Sequence, residues 1–332
     1  MKSQYKRLAI IPLLVIALLC VPTPASAALP AGFELETIAG GITLPTGMAF
    51  APDGRIFVAG KAGAVHVIKN GVLLPTPLIQ LTDVNTYGDR GLIGIAVDPN
   101  FSVNHFLYLS YTFENTPGAN FSGRKTGRIV RVTVEGDTAS ESSKFILVGR
   151  VGGNSVTPSC DNYAIGTDCI PSDSSSHSVG GLRFGPDGKL YATLGDGSDF
   201  DRADARSERA QNLDSLAGKM LRINTDGSAP ADNPYYTTST ANRSKVYAYG
   251  FRNMFRFNFR PSTGALYGGD VGWDTWEEVN KITRGGNYGW PCREGDNPAF
   301  GQTCTAPGAI NPFYSYIPVS YTHLTLPTNR EV

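Results

Sequence analysis

The chain has 332 residues, with 29 acidic and 29 basic side chains and a pI of about 6.9. That balance, with no long basic run, gives no electrostatic footprint for nucleic acid, and no nucleic-acid partner is expected. Only 17% of residues are charged while Gly numbers 38 and Pro 22, a composition of strands and turns rather than of helices.

At the N-terminus, Lys2, Lys6 and Arg7 precede an apolar stretch over residues 8–21; Pro22 and Pro24 interrupt it, and Ala25-Ser26-Ala27 supplies an A-x-A cleavage site. The pattern predicts a secretory signal peptide over residues 1–27. The apolar stretch is shorter than the roughly 20 residues that cross a bilayer, so no membrane span is expected after cleavage.

An internal repeat follows. Residues 47–58 (GMAFAPDGRIFV), 94–100 with 106–109, 181–192 (GLRFGPDGKLYA), and more loosely 257–261 with 264–267, each read as strand, turn, strand. In the turns Pro fixes φ and Gly accepts positive φ, and the flanks alternate as half-buried strands do. The turn prolines are Pro52, Pro99, Pro186 and Pro261, with gaps of 47, 87 and 75 residues. These gaps read as one unit, two units, and one unit with an insertion. Four-stranded units repeating at roughly 40–50 residues predict a β-propeller; two stacked β-sandwiches are the alternative.

Residues 112–126 are mostly polar, contain Pro117, Gly118 and Gly123, and read as an exposed loop. Residues 203–216 read as a loop with a helical turn. Four cysteines follow the signal, Cys160, Cys169, Cys292 and Cys304. An even number in an exported chain suggests two disulfides. Pairing sequence neighbours gives Cys160–Cys169 and Cys292–Cys304, with the two other connectivities still open.

Several motifs stand in a fixed order: residues 88–94 (GDRGLIG) with 98–101, 177–181 (HSVGG) running into 184–188, 195–197 (GDG), 226–228 with 232–234, 249–253 (YGFRN), 276–280 (WEEVN) and 286–291 (GNYGWP). As an ordered set they resemble the soluble glucose and aldose sugar dehydrogenases that use pyrroloquinoline quinone (PQQ). The resemblance implies an all-β, six-bladed β-propeller of the quinoprotein dehydrogenase type over residues 28–318. It also implies PQQ and Ca²⁺ as cofactors, an aldose substrate oxidised at its anomeric carbon to a lactone, a soluble electron acceptor, and a periplasmic or extracellular location.

By the same resemblance His177 is the catalytic base, a role that suits imidazole because it titrates near neutrality. Asp196 matches the carboxylate that orients it. Arg252 and Asn253 match contacts to PQQ and its reduced oxygen, and Asp89 stands at a cofactor-contacting position where many relatives carry Gln. The carbonyls of Gly272 and Trp273 match ligands of the cofactor's Ca²⁺. Glu278 and the carbonyl of Tyr288 match those of a second, structural Ca²⁺. Trp273, Trp276 and Trp290 are candidates for stacking on a sugar or for packing.

The family continues well past its counterpart of Trp290-Pro291, with a Lys and Arg cluster that grips PQQ. Residues 319–332 instead resemble translated adapter sequence, so an incomplete C-terminus and a non-native tail are expected. Two other readings stay open. One is a Ca²⁺-dependent propeller lactonase, with acidic and Asn side chains around a central metal. The other is a non-catalytic propeller that binds carbohydrate or protein.

Overall fold

The computed structural model describes residues 32–116, 120, 122–201, 203–299 and 304–318. The expected signal peptide, the expected tail at 319–332 and part of the 112–126 loop lie outside them. The chain divides into two units, residues 1–37 and 38–332. The described part of the first, residues 32–37, contains no strand or helix. Among the described residues no helix is long and apolar enough to cross a membrane.

The second unit is a β-propeller in which each sheet is an antiparallel meander beginning at one copy of the repeat. The first sheet is β1 (Pro45–Phe50), β2 (Ile56–Gly60), β3 (Ala64–Lys69) and β4 (Val72–Leu73), with β5 (Ile79–Gln80) also on β3. The second is β6 (Leu92–Val97), β7 (Phe106–Phe113) and β8 (Lys125–Glu135), with β9 (Thr138–Ala139), β10 (Phe145–Val148) and β11 (Ile170–Ser172) all on β8. The third runs β12 (Val179–Phe184), β13 (Leu190–Leu194), β14 (Lys219–Ile223), β15 (Val246–Tyr249). The fourth has β16 (Met254–Phe259), β17 (Leu266–Asp270) and β18 (Glu277–Ile282). A small ribbon, β19 (Arg293–Glu294) and β20 (Asn297–Pro298), precedes its outer strand β21 (Tyr314–Tyr316).

The repeat turns form as read. Asp53 and Asp187 each accept, through Oδ1, the N–H two residues on, at 3.1 Å, and Gly54 and Gly188 take positive φ. Residues 205–211 form a short 3-10 helix within the loop expected at 203–216.

Two expectations are corrected. The resemblance implied a six-bladed propeller incomplete at its C-terminus, and the described residues form four blades. The 87 residues between Pro99 and Pro186 hold one blade, not two, because β8 is 11 residues long and takes β10 and then β11 along one edge. The chain between those two strands is an insertion closed by the Cys160–Cys169 disulfide. Spacing alone cannot tell such an insertion from a second blade. The fourth blade also reaches β21 only after a long excursion, which carries the Cys292–Cys304 disulfide. The second correction concerns residues 112–126. Their ends are buried strand, and Glu114 and Lys125 pair there at 2.7 Å with side chains 1% and 5% exposed.

Apolar clusters fill the seams between blades. Phe57, Leu81, Leu92 and Leu107 pack at the first seam, Tyr108, Ile129, Leu182 and Leu221 at the second, and Met220, Phe251, Met254 and Phe257 at the third. Full burial of each such side chain contributes about 1.5–3 kcal/mol. The first strands of successive sheets touch one another, and glycine makes that approach possible. A Cβ on Gly94 of β6 would stand 2.6 Å from the carbonyl of Gly180, and one on Gly180 of β12 would stand 2.8 Å from that of Met254. This is why β6 and β12 carry glycine near their starts, as β1 does at Gly47, whereas β16 carries none.

Candidate active site

The start of a blade's first strand pairs with the end of its second, as Val179 does with Leu194. Loops entering first strands and leaving second strands therefore meet at one end of the sheet. His177 enters β12, Asp196 leaves β13, Arg252 and Asn253 enter β16, and Gly272 and Trp273 leave β17.

His177 is 3% exposed and has a φ of 49°, a left-handed conformation that His tolerates better than most residues. Main chain pins it on both sides. Gly195 N donates to Ser178 O at 2.7 Å, Gly197 N to His177 O at 3.0 Å, and Ser174 N to Gly197 O at 3.2 Å. Its Nδ1 lies 3.0 Å from Asp196 Oδ1. From the preceding blade, Asp89 N donates to Ser175 O, and the buried Arg90 donates to the carbonyls of Ser172 and Ser174 at 2.9 and 3.1 Å. The Asp89 carboxylate itself is exposed.

Asp196 is fully buried. Besides His177, its Oδ1 accepts Ser198 N at 2.8 Å. Its Oδ2 accepts Ser198 Oγ at 2.7 Å and the indole Nε1–H of Trp290 at 2.7 Å. Burial opposes ionisation, yet the adjacent His177 ring and the two Ser198 donors outweigh it and hold the carboxyl below its usual range. Lys219 lies within electrostatic reach. Burial pushes its ammonium well below the ordinary lysine value, against the pull of Asp196. It donates to the carbonyls of Arg209, Ala210 and Ala217 at 2.9, 2.8 and 2.6 Å.

Arg252 joins the next group. Its carbonyl accepts Asp196 N at 2.8 Å, and its guanidinium lies 5.6 Å from the Trp290 ring centroid. Nη1 donates to Gly272 O at 2.6 Å and Nη2 to Phe200 O at 2.9 Å. Among the described residues Nε is buried without a partner. Burial lowers the pKa of this cation, partly offset by Asp196 and Asp270. Asp270 accepts the main-chain N–H of Arg252 and Asn253 at 3.0 and 2.6 Å. Burial, and then the charge of Glu278, push Asp270 well above the usual carboxylate range. A cavity of about 10 Å³ is lined by Arg252, Asp270, Gly272, Glu278, Trp290 and Glu294, among others.

Of the expected site residues, His177, Asp196, Arg252, Asn253 and Gly272 therefore form one connected cluster, with Trp273 next to it. Glu278 accepts Gly295 N–H and Asn280 Nδ2, whereas Tyr288 stacks its ring on Phe251 at 4.8 Å. Among the described residues, no three His, Cys, Asp or Glu side chains converge as a metal-binding group. A cation here would rest on carbonyls such as that of Gly272, which already faces the Arg252 guanidinium. The unpartnered Nε of Arg252 and this carbonyl fit an anionic cofactor carrying a cation. Sequence reasoning missed Ser198, Lys219 and the bond from Trp290. The two-residue spacing of Asp196 and Ser198 is a readable Asx-turn signal; nothing local marks the other two.

The family model described as Glucose / Sorbosone dehydrogenase matches residues 42–323. Aldose sugar dehydrogenase YliI of Escherichia coli is 28% identical over 83% of this chain and 66% of its own length. The PQQ-bound form of aldose sugar dehydrogenase from Streptomyces coelicolor superposes with a TM-score of 0.62 at 27% identity, covering 85% of this chain and 71% of that one. Human Hedgehog-interacting protein is 26% identical over 68% of this chain and 31% of its own length. The chain spans 55–66% of the length of the first curated relatives it matches.

Proposed function

The chain belongs to the Glucose / Sorbosone dehydrogenase family, and from that premise we propose that it is an exported quinoprotein that oxidises the anomeric carbon of aldoses to lactones. The observation that carries this reading is the buried His177–Asp196 pair, joined through Arg252 to the Gly272 carbonyl. When bound, PQQ with Ca²⁺ supplies the two-electron acceptor for the hydride that leaves the sugar.

The chain's own part is proton handling and orientation. With Nδ1 committed to Asp196, His177 Nε2 is the nitrogen left to take the anomeric hydroxyl proton. The Asp196 carboxylate then stabilises the imidazolium, and Ser198 and Trp290 hold that carboxylate in place. Arg252 would place positive charge beside the quinone oxygens of the bound cofactor. Gly272 and Trp273 would hold Ca²⁺ through their carbonyls, and Arg252 and Asn253 would contact PQQ. The two disulfides suit an oxidising compartment.

The test reconstitutes the protein with PQQ and Ca²⁺ and follows dye reduction across several aldoses, using this chain and a form built to the length of its relatives. Sugar-dependent reduction supports the proposal. No reduction with any sugar together with no PQQ binding overturns it. The likeness to Hedgehog-interacting protein keeps a non-catalytic propeller as the second reading; carbohydrate or protein binding without turnover would favour it.

A further inference from the structure

The loop that leaves β17 has an unusual organiser. Glu294, 3% exposed, accepts four consecutive main-chain N–H groups on the single oxygen Oε1. They come from Trp273, Asp274, Thr275 and Trp276, at 2.8, 2.9, 3.0 and 3.1 Å. Successive N–H groups converging on one point make an anion-binding concavity, and here the chain fills it with its own carboxylate. The turn is closed tightly enough that a Cβ on Gly272 would meet the carbonyl oxygen of Trp276 at 1.7 Å. Gly272 N is held as well, by Glu277 Oε2 at 3.1 Å.

These bonds fix the carbonyls. In a planar trans peptide the N–H of one residue and the C=O of the residue before it point to opposite sides, and the peptides of this turn are trans. Drawing the N–H groups of Trp273 and Asp274 onto Glu294 therefore turns the carbonyls of Gly272 and Trp273 away from it. The Gly272 carbonyl does meet a cation on that side, Arg252 Nη1 at 2.6 Å. We infer that Glu294 is a positioning residue of the site, whose buried carboxylate folds residues 272–276 around itself and aims the carbonyls of Gly272 and Trp273 at a cation.

The inference rests on the cofactor reading above for the identity of that cation, and the experiment separates the two. Hydrogen exchange and a Ca²⁺ titration in the presence of PQQ are run on the unaltered protein, Glu294→Leu and Glu294→Gln. In Glu294→Leu, protection of amides 273–276 should fall at least tenfold while that of β6–β8 is unchanged, and the Ca²⁺ half-saturation should rise at least tenfold. Glu294→Gln, which keeps an acceptor oxygen, should restore most of the protection and hold the Ca²⁺ shift to about threefold. Retained protection in Glu294→Leu, or lost protection with an unchanged Ca²⁺ half-saturation, would overturn the inference. No Ca²⁺ uptake by the unaltered protein would count against the cofactor reading itself, and the exchange result would still decide whether Glu294 shapes the turn. If Glu294→Leu does not fold, Glu294→Asp, whose shorter arm withdraws the oxygen, replaces it under the same criteria.

Discussion

Replacing Asp196 by Asn changes few atoms but breaks the logic of the site. Four donors now converge on two carboxylate oxygens: His177 Nδ1 and Ser198 N on Oδ1, Ser198 Oγ and Trp290 Nε1 on Oδ2. An amide offers one acceptor oxygen, and a donor-only N–H stands on each side, Ser198 N–H beside Oδ1 and Trp290 Nε1–H beside Oδ2, so one of the two must go unmet. With the NH₂ on the Oδ1 side, it faces Ser198 N–H and makes His177 Nδ1 an acceptor; with the NH₂ on the Oδ2 side, it opposes Trp290 Nε1–H and leaves Nδ1–H bonded to a neutral oxygen. The first arrangement moves the imidazole proton to Nε2, the nitrogen the reaction needs bare, and the second removes the charge that stabilises the imidazolium. Losing one or two hydrogen bonds to a charged group costs about 2–4 kcal/mol of stability. Either loss should lower kcat, by about 10³–10⁴-fold where the tautomer is wrong, the scale seen when a triad aspartate is made neutral. Nitrogen NMR of labelled histidine reads the tautomer directly, and the chain has only four histidines to resolve; dye reduction with PQQ, Ca²⁺ and an aldose reads the rate. An Asp196→Asn protein with the Nδ1–H tautomer intact and turnover within threefold of the parent would refute the reasoning.

Other substitutions probe the support around this pair. Trp290→Phe removes the 2.7 Å indole bond to buried Asp196 and should cost about 1.5–3 kcal/mol in chemical denaturation; a change below about 0.5 kcal/mol would mean the bond is not made. Gly180→Ala sets a methyl 2.8 Å from the Met254 carbonyl and should destabilise by about 1–3 kcal/mol through overpacking, seen as a lower denaturation midpoint. Glu114 is opposed by burial but held below the usual carboxylate range by Lys125, Asn85 and Thr116. Its contribution to stability is therefore present above the unfolded value of about 4.3 and lost as pH falls through the lower folded one. Glu114→Gln should cost about 3 kcal/mol at neutral pH, with the gap to the parent closing in denaturation curves below about pH 4.

The local parts of this fold were legible and the distant ones were not. Pro52-Asp53-Gly54 and Pro186-Asp187-Gly188 announced their turns because the conformation, the Asx bond and the positive-φ glycine all lie within four residues. Short disulfide loops paired as sequence neighbours for the same reason. His177 and Asp196 are only 19 residues apart and flank one hairpin, so a motif could carry both. The Trp290 bond spans 94 residues and depends on how the excursion after β18 folds back, which no periodicity encodes. Glu294 was invisible because its partners are backbone N–H groups, which leave no trace in residue types. The Pro99–Pro186 interval was misread as two units because β8 takes two partner strands separated by an insertion, and a repeat interval measures chain length, not strand pairing.

The proposed function turns on His177 serving as the base of a PQQ site built on this propeller. Its most direct test compares PQQ binding and dye reduction in His177→Ala. PQQ with Ca²⁺ should still bind, because the proposed cofactor contacts lie on Arg252, Asn253 and the Gly272 turn, while aldose-dependent reduction should be abolished. Retained turnover in His177→Ala would contradict that role.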